Sequence, residues 1–360
     1  MKRFFATAAA ALLAAAVLLP IRTRALSAEK AYVLDAVSGR VLYEKNPDQR
    51  SLIASTTKIM TALIVCEQCN VLDRMRIPKE AVGIEGSSMY LREGEVLTLQ
   101  ELLYGLMLSS GNDAAVALAI YCGGTVEGFC ELMNDKARSL GLKNTHFENP
   151  NGLDSPNHYS TARDLARLAA YAMENPIFQK TVSAKQLKIG ERYLTNHNKL
   201  LWRVEGADGV KTGYTKAAGR ILVSSAQRNG RRIIAVTLDD PCDWQDHEVL
   251  LNEGFSQYRC SQIVKAGMYV DTIEVVGGEN QRVQLLTAAD FSYALAPDED
   301  PQLMLSGQRF VYAPVVAGAA AGYAYVLIEG KAVGKIPLIY GETIEQARPE
   351  NRSGWKNRFS

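Results

Sequence analysis

The sequence predicts an α/β (α+β) domain with a helical lobe, followed by a small all-β domain. Three observations carry this prediction. Strand patterns occur at both ends of the first part of the 360-residue chain, and helical patterns lie between them. After about residue 263 the helical patterns stop, and short alternating runs separated by turns follow. We therefore expect one domain over 28–262 and a second, β-rich domain over 263–345.

Residues 1–27 have the pattern of a secretory signal peptide. A basic start precedes an apolar run from Phe4 to Leu19, which is short for a membrane span. Ala25-Leu26-Ser27 then offers the small-x-small pattern of a signal-peptidase site. We expect removal near Ser27 or Ala28 and an exported protein, with an uncleaved N-terminal anchor as the alternative.

The first element predicted after this segment is a β-hairpin. Ala31–Asp35 and Val41–Glu44 alternate apolar and polar residues on either side of the turn signal Ser38-Gly39.

Five helical patterns follow the hairpin, over residues 55–68, 99–107, 112–121, 125–139 and 161–173. Thr161 with Asp164 resembles a capping box at the start of the last of these helices.

Strand patterns return after the helices. Arg220–Ala226 and Arg232–Leu238 are joined by Asn229-Gly230, a strong signal for a tight turn. The second domain contributes further short alternating runs, at Tyr269–Val276, Gln281–Leu286, Phe291–Ala296 and Ala324–Ile328.

The composition excludes one class of partner and indicates no cofactor. Lys+Arg 40 against Asp+Glu 39 gives a net charge of +1, so nothing indicates binding to nucleic acid. The six cysteines and four histidines lack the spacing of a zinc site, and no metal or other cofactor is expected. We expect the cysteines to be buried free thiols, with one disulfide as an open alternative.

The stretch "LIASTTKIMTALIV", residues 52–65, suggests a nucleophile and its base. Lys58 follows Ser55 by three residues at the start of an apolar helix, so both side chains lie on one face. A buried lysine with a lowered pKa can take the proton of a serine hydroxyl and make the oxygen nucleophilic. Two further matches to this spacing, which start at Ser27 and Ser353, lie at the predicted cleavage site and in a polar tail.

Two other short motifs make this chemistry specific. Ser110-Gly111-Asn112 lies between two helical patterns, and Lys211-Thr212-Gly213, followed by Tyr214, lies on a predicted strand. Each motif is weak alone, because an ordinary turn or an edge strand explains it equally well. Together with Ser55 and Lys58, in this order, they form the set that marks the penicillin-recognising serine enzymes.

The chain resembles the secreted D-alanyl-D-alanine carboxypeptidases, which are low-molecular-mass penicillin-binding proteins of the serine-transpeptidase/β-lactamase-like superfamily. The segments "THFENPNGLD" (145–154) and "HYSTARDLARLAAYA" (158–172) extend the resemblance between the second and third motifs. It implies an α/β serine-transpeptidase domain with a helical lobe, followed by a β-rich domain, in agreement with the predicted elements.

The resemblance also implies a catalytic role for several motif residues. Ser55 would attack the carbonyl of the penultimate D-alanine and carry the acyl ester, with Lys58 as its general base. Ser110 would relay the proton to the leaving amine, while Asn112 would hold the substrate amide and Lys58. Lys211 would add positive charge that lowers the pKa of Lys58.

The residues of the strand motif are implied to bind the substrate. Lys211 and Thr212 would bind the terminal carboxylate, and Gly213 would let the substrate backbone lie against the strand. The backbone N–H groups of Ser55 and Tyr214 would form the oxyanion hole.

The fate of the acyl ester separates two related activities. Class A β-lactamases use a glutamate to activate the hydrolytic water. In the corresponding loop of this chain, 147–154, Glu148 lacks the expected spacing to a following asparagine. The resemblance instead implies that Asn151 is the loop residue nearest the scissile bond. Asparagine cannot act as a general base for this water. A penicilloyl ester also keeps its thiazolidine ring tethered in the site, where the ring blocks water, so we expect its release to be slow and the release of D-alanine to be much faster.

The implied function is that of a serine-type D-Ala-D-Ala carboxypeptidase on the cell-wall side of the membrane. Its substrate would be a peptidoglycan stem peptide ending in D-Ala-D-Ala, and β-lactams would inhibit it. The alternatives are a β-lactamase or DD-endopeptidase on the same fold, and a non-catalytic cell-wall binding protein. In the tail, 346–360, Trp355 and Phe359 with nearby basic residues predict only weak, peripheral contact with a membrane.

Overall fold

The computed structural model describes residues 26–348 of the chain. The predicted signal peptide, 1–27, lies almost entirely outside these residues, as does most of the predicted tail, 346–360. Both therefore stay predictions. Within the described residues, no single helix is long and apolar enough to cross a bilayer; Asn112–Gly123 and Val126–Ser139 pass such a test only as a pair bent by 83°.

The first domain is built around an antiparallel sheet that joins strands from both ends of its sequence. Five strands form this sheet in the order β2-β1-β9-β8-β7, whereas β3–β4 and β5–β6 are separate two-stranded ladders. Both predicted hairpins are confirmed. The strands are β1 (Lys30–Asp35), β2 (Val41–Lys45), β3 (Arg74–Arg76), β4 (Val96–Thr98), β5 (Gln186–Ile189), β6 (Arg192–Thr195), β7 (Ala207–Thr215), β8 (Gly219–Arg228) and β9 (Arg231–Leu238).

The helices of the first domain include all five that the sequence predicts, with ends shifted by up to three residues. Three further helices, α6, α7 and α8, were not predicted. The helices are α1 (Lys58–Gln68), α2 (Leu99–Leu108), α3 (Asn112–Gly123), α4 (Val126–Ser139), α5 (Ala162–Ala172), α6 (Pro176–Ser183), α7 (Leu200–Arg203) and α8 (Asp243–Gln257), with 3-10 turns at Ala54–Thr57 and Lys79–Ala81.

The helix predicted over 55–68 begins three residues later than expected. Ser55 lies in the 3-10 turn Ala54–Thr57, and α1 starts at Lys58. Ala54, at the start of the turn, has a φ of +45°, which is incompatible with a helix that extends to its N-terminal side. The serine and the lysine remain on one face because a 3-10 turn also brings residues three apart into line.

The cap of α5 is only half of the predicted capping box. The Thr161 hydroxyl accepts from the Asp164 N–H (3.1 Å), as predicted. The Asp164 carboxylate does not reach back to the cap, because it accepts from the Asn144 N–H and the Thr145 hydroxyl instead, both at 2.9 Å. It thereby ties α5 to the segment that precedes the 147–154 loop.

The central sheet is buried on both faces, and α8 covers one of them. Along β9, Ile234 and Val236 pack with the helical lobe, while Ile233 and Ala235 pack with Leu250 and Leu251 of α8 and with their neighbours. Polar residues interrupt the buried stripe of α8: the buried His247 ring bonds the hydroxyls of Ser224 (2.6 Å) and Thr237 (2.9 Å). This explains why hydrophobic periodicity did not predict the helix.

One disulfide joins Cys69 and Cys122. Cys69 caps the C-terminal end of α1, and Cys122 lies in the last turn of α3. The link therefore ties together the distal ends of the two helices whose first residues are Lys58 and Asn112. Of the free thiols, Cys66 and Cys130 are buried as expected, but Cys242 and Cys260 are exposed, which corrects the prediction that the free cysteines are buried.

The second domain is all-β, as predicted. A six-stranded sheet in the order β14-β16-β17-β12-β11-β15 lies beside the pair β10–β13. The boundary predicted between 262 and 263 falls inside β10, which pairs with β13. The strands are β10 (Arg259–Val264), β11 (Tyr269–Val276), β12 (Arg282–Thr287), β13 (Phe291–Leu295), β14 (Gln302–Ser306), β15 (Phe310–Tyr312), β16 (Ala320–Ile328) and β17 (Lys331–Tyr340).

Candidate active site

A cleft of about 290 Å³ opens between the edge strand β7 and the helical lobe. Five residues of the predicted site line it, and Lys58, Asn112 and Lys211 are buried directly behind it. The lining residues are Ser55, Ser87, Ser110, His197, Thr212, Gly213, Tyr214, Arg220, Asp243 and Trp244. The three motifs, remote in sequence, therefore meet in one place.

Lys58 is the central buried group of this site. Its Nζ lies 2.9 Å from Ser55 Oγ, 2.7 Å from Asn112 Oδ1 and 2.5 Å from the carbonyl oxygen of Asn151. The residue is fully buried, and burial together with the charge of Lys211 holds the pKa of Lys58 well below its ordinary value. The ammonium is therefore disfavoured, and the neutral amine is the form suited to act as a base.

The three contacts of Lys58 leave one direction for its lone pair. The carbonyl oxygens of Asn112 and Asn151 can only accept, so they take the two N–H groups of the neutral amine. The lone pair then faces the Ser55 hydroxyl, which can donate. Asn112 is held in this orientation because its Nδ2 donates to the carbonyl oxygen of Glu85 at 2.6 Å.

Ser110 lies in the tight turn between α2 and α3, and Asn112 is the first residue of α3. Ser110 is buried with a φ of +57°, and it lines the cleft. The turn is held by Asp113, a residue that the sequence analysis did not single out. Its carboxylate accepts from the backbone N–H groups of Met89 and Leu91, both at 3.0 Å, and thereby fixes the loop that lies over Asn112.

The strand motif lies on β7 with its lysine inward. Lys211 is buried, its Nζ donates to the carbonyl oxygen of Thr212 at 3.0 Å, and burial lowers its pKa to about 7. A Cβ at Gly213 would lie 3.3 Å from Ser55 N and 3.2 Å from the carbonyl oxygen of Ile53. These contacts are tighter than usual, so glycine favours the close approach of β7 to the Ser55 turn. Tyr214 follows with an exposed side chain.

The loop 147–154 contributes its backbone to the site. Asn151 contacts Lys58 through its carbonyl oxygen, whereas its side chain accepts from the Leu153 N–H (3.2 Å) and stays within the loop. Gly152, with a φ of +92°, packs so tightly that a Cβ there would lie 1.9 Å from the carbonyl oxygen of Ala54. The Glu148 carboxylate accepts from Ser155 and Asn157 on the exterior.

An arginine on the neighbouring strand completes the wall of the cleft and was not predicted. Arg220 Nη2 lies 2.8 and 2.9 Å from the two carboxylate oxygens of Asp243, and its guanidinium lies 5.8 Å from the Trp244 ring centre. Its Nε is buried without a hydrogen-bond partner among the described residues. No sequence motif marks this position, because the residue acts through its place on β8.

His197 also lines the cleft, although the spacing of the four histidines predicts no metal site. Burial and the nearby Lys211 lower the pKa of His197. Within the described residues there is no cluster of histidine, cysteine and carboxylate side chains that could hold a metal ion. What the described arrangement offers is a serine, the buried amine of Lys58 and two further basic side chains, Lys211 and Arg220, around one polar cleft.

Comparisons with known proteins find matches to both parts of the chain. A family model described as D-alanyl-D-alanine carboxypeptidase matches residues 18–242, and one described as the C-terminal domain of penicillin-binding protein 5 matches residues 258–346. The D-alanyl-D-alanine carboxypeptidase DacF of Bacillus subtilis is 32% identical over 336 residues, which cover 89% of this chain and 86% of that protein. DacC of Escherichia coli is 33% identical over 333 residues, which cover 87% and 83%.

A solved structure shows the same likeness in three dimensions. Penicillin-binding protein 5 from Haemophilus influenzae superposes with a TM-score of 0.78 at 30% identity, over 89% of this chain and 98% of that one. Because the superposition extends through most of both chains, it includes the α/β domain and the β-rich domain that follows it.

Proposed function

The chain belongs to the D-alanyl-D-alanine carboxypeptidase family, and on that premise we propose that Ser55 is the residue acylated in the reaction. As a member of this family, the chain is a serine-type carboxypeptidase. The observation that carries the proposal is the contact of 2.9 Å between Ser55 Oγ and a buried Lys58 whose other two partners can only accept. A serine hydroxyl becomes nucleophilic when such a base takes its proton.

The reaction proceeds in two steps. Ser55 Oγ attacks the carbonyl carbon of the penultimate D-alanine while its proton passes to Lys58 Nζ, and the negative oxygen faces the backbone N–H groups of Ser55 and Tyr214. The C–N bond then breaks as the proton reaches the leaving D-alanine amine through Ser110. Water hydrolyses the ester, which releases the shortened peptide and restores Ser55.

The terminal carboxylate of the substrate is recognised on the β7 side of the cleft. Lys211 and Thr212 supply a cation and a hydroxyl there, as the motif implies. We add Arg220 to this group, because it lines the same cleft and its Nε has no partner among the described residues. Its guanidinium is held in place by Asp243, so the side chain is ordered before the substrate binds.

Replacement of Arg220 by alanine should raise KM for a D-Ala-D-Ala peptide by roughly 10- to 100-fold, since a charge-assisted hydrogen bond contributes about 1.5–3 kcal/mol. Arg228→Ala is the matched control, because Arg228 lies on the same strand and its guanidinium contacts Glu205, Asn252 and the Phe255 ring, none of which lines the cleft. Steady-state kinetics of both variants provide the measurement. Equal KM values would exclude Arg220 from carboxylate recognition.

We further propose that the enzyme works on peptidoglycan outside the cytoplasm and so contributes to cell-wall biogenesis and cell shape. The predicted signal peptide supports export. The disulfide between Cys69 and Cys122 supports it independently, because such links persist in oxidising compartments. An assay for exported, processed protein, with N-terminal sequencing, tests the placement.

The acyl ester formed with penicillin should persist, which separates a carboxypeptidase from a β-lactamase. One carboxylate oxygen of Glu148 accepts from Ser155 and the other accepts from Asn157, both outside the cleft. The glutamate of this loop is therefore not directed at the ester. The bulky penicilloyl group stays tethered and blocks water, whereas D-alanine leaves. We expect mass spectrometry to detect the adduct long after excess penicillin is removed; its loss within seconds, with penicillin turnover, would favour a lactamase.

A further inference from the structure

One buried histidine outside the three motifs is connected to the Ser55 turn. His158 is 1% exposed and lies between the 147–154 loop and α1. Its Nε2 is 2.7 Å from the Thr57 hydroxyl, and its Nδ1 is 3.0 Å from the backbone N of Glu148. Thr57 lies between the proposed nucleophile and its base, so His158 touches the motif without reaching the cleft.

The hydrogen-bond roles in this chain of contacts are fixed. The Glu148 N–H can only donate, so His158 Nδ1 accepts and the ring proton is on Nε2. Nε2–H therefore donates to the Thr57 oxygen, which leaves the Thr57 hydroxyl proton free to donate to the carbonyl oxygen of Ala54 at 2.8 Å. Burial lowers the pKa of His158 to about 4, which keeps the ring neutral near pH 7.

The Ala54 carbonyl oxygen, which accepts from Thr57, belongs to the same peptide group as the Ser55 N–H. A trans peptide is planar, and its C=O and N–H point in opposite directions. When Thr57 holds the Ala54 carbonyl on the buried side, the Ser55 N–H is turned away from it, toward the β7 side, where Gly213 approaches Ser55 N. The orientation needs support, because the φ of +45° at Ala54 is unfavourable for a residue with a Cβ.

We propose that His158 is a positioning residue that acts through Thr57 and the Ala54 carbonyl to direct the Ser55 N–H into the oxyanion hole. The proposal rests on the proposed role of Ser55 as the acylated residue. Without the ring, the Thr57 hydroxyl is free to rotate, and the peptide that carries the Ser55 N–H loses its support. This loss should reduce the stabilisation of the transition state more than the affinity for the substrate, because the oxyanion develops only during the reaction.

The test compares variants that keep or remove each hydrogen bond. Thr57→Val and His158→Phe remove a link, whereas Thr57→Ser keeps the hydroxyl and His158→Gln keeps a donor and an acceptor. Thr181→Val is the matched control, because Thr181 is a buried threonine whose hydroxyl donates within α6, away from the cleft. We measure kcat and KM for D-alanine release, normalised to the sites that penicillin labels at completion, so that misfolded protein does not count.

The same variants are then titrated with a peptidyl boronic acid, which forms a tetrahedral adduct on the serine and places an oxygen in the oxyanion hole. We expect Thr57→Val and His158→Phe to lower kcat about 10- to 100-fold, with KM changed less than about twofold, and to weaken boronate binding in proportion. Thr57→Ser, His158→Gln and Thr181→Val should stay within about threefold of the parent protein.

Two results would overturn the inference. One is an unchanged kcat per labelled site in Thr57→Val and His158→Phe, with only the melting temperature lowered. The other is a fall in kcat with no change in boronate affinity, which would place the effect outside the oxyanion hole. Failure of the proposed function is a different result, because the parent protein itself would then lack penicillin labelling and D-alanine release.

Discussion

The Ser55→Ala variant should lose both D-alanine release and covalent labelling by penicillin. Both reactions need an oxygen nucleophile at this position, and in the described part of the chain Ser55 is the only hydroxyl that hydrogen-bonds Lys58 Nζ. Loss of the nucleophile in serine hydrolases reduces kcat on the order of 10⁶-fold. The measurement combines a D-alanine assay with mass spectrometry of the penicillin-treated protein.

The matched control for this prediction is Ser353→Ala. Ser353 also stands three residues before a lysine, but in the polar tail, so it tests whether the spacing alone creates a nucleophile. We expect this variant to retain full activity and full labelling. Penicillin adduct retained on the Ser55→Ala protein would refute the assignment of the nucleophile.

Replacement of Lys58 by methionine should slow acylation by roughly 10³-fold or more while the protein still folds. Methionine fills a similar volume but cannot take the Ser55 proton, and general-base catalysis contributes about 10²–10⁴-fold. Because burial and Lys211 lower the pKa of Lys58, the parent rate should fall as the pH drops and the amine becomes protonated. The residual rate of Lys58→Met should lack this acid-side fall.

Lys30→Met provides the control for this variant. Lys30 belongs to another serine-lysine spacing, lies on β1 and contacts Glu29 rather than the cleft. Its replacement should leave the acylation rate and its pH profile unchanged. If Lys58→Met acylated at the parent rate, or showed the same acid-side fall, another group would have to be the base.

The motif residues could be predicted because local spacing and side-chain chemistry identify them. Ser55 and Lys58 are three residues apart, so any helical turn aligns them, even though the turn is a 3-10 turn. The Lys211-Thr212-Gly213 motif lies on the edge strand β7, as its chemistry requires. These motifs lie in one cleft because of the fold. The sequence spacing alone did not predict this arrangement; the resemblance to a family did.

Residues that act through the backbone or through tertiary placement left no such signal. Asn151 binds Lys58 with its carbonyl oxygen, which every residue has, so the side chain indicates nothing about the contact. Gly152 is required by its close approach to Ala54, which only the three-dimensional structure shows. Arg220 and Asp243 come from β8 and α8. The hydrophobic pattern did not predict α8, because buried polar residues interrupt its inner face.

The most direct test of the central claim is the amount of D-alanine that the purified chain, starting at Ala28, releases from diacetyl-Lys-D-Ala-D-Ala. The account predicts one D-alanine per peptide, suppression by prior treatment with penicillin, and no release from the matching peptide that ends in L-Ala-L-Ala. Absence of D-alanine release from folded protein, or release that penicillin does not suppress, would contradict the assignment of a Ser55-dependent D-Ala-D-Ala carboxypeptidase.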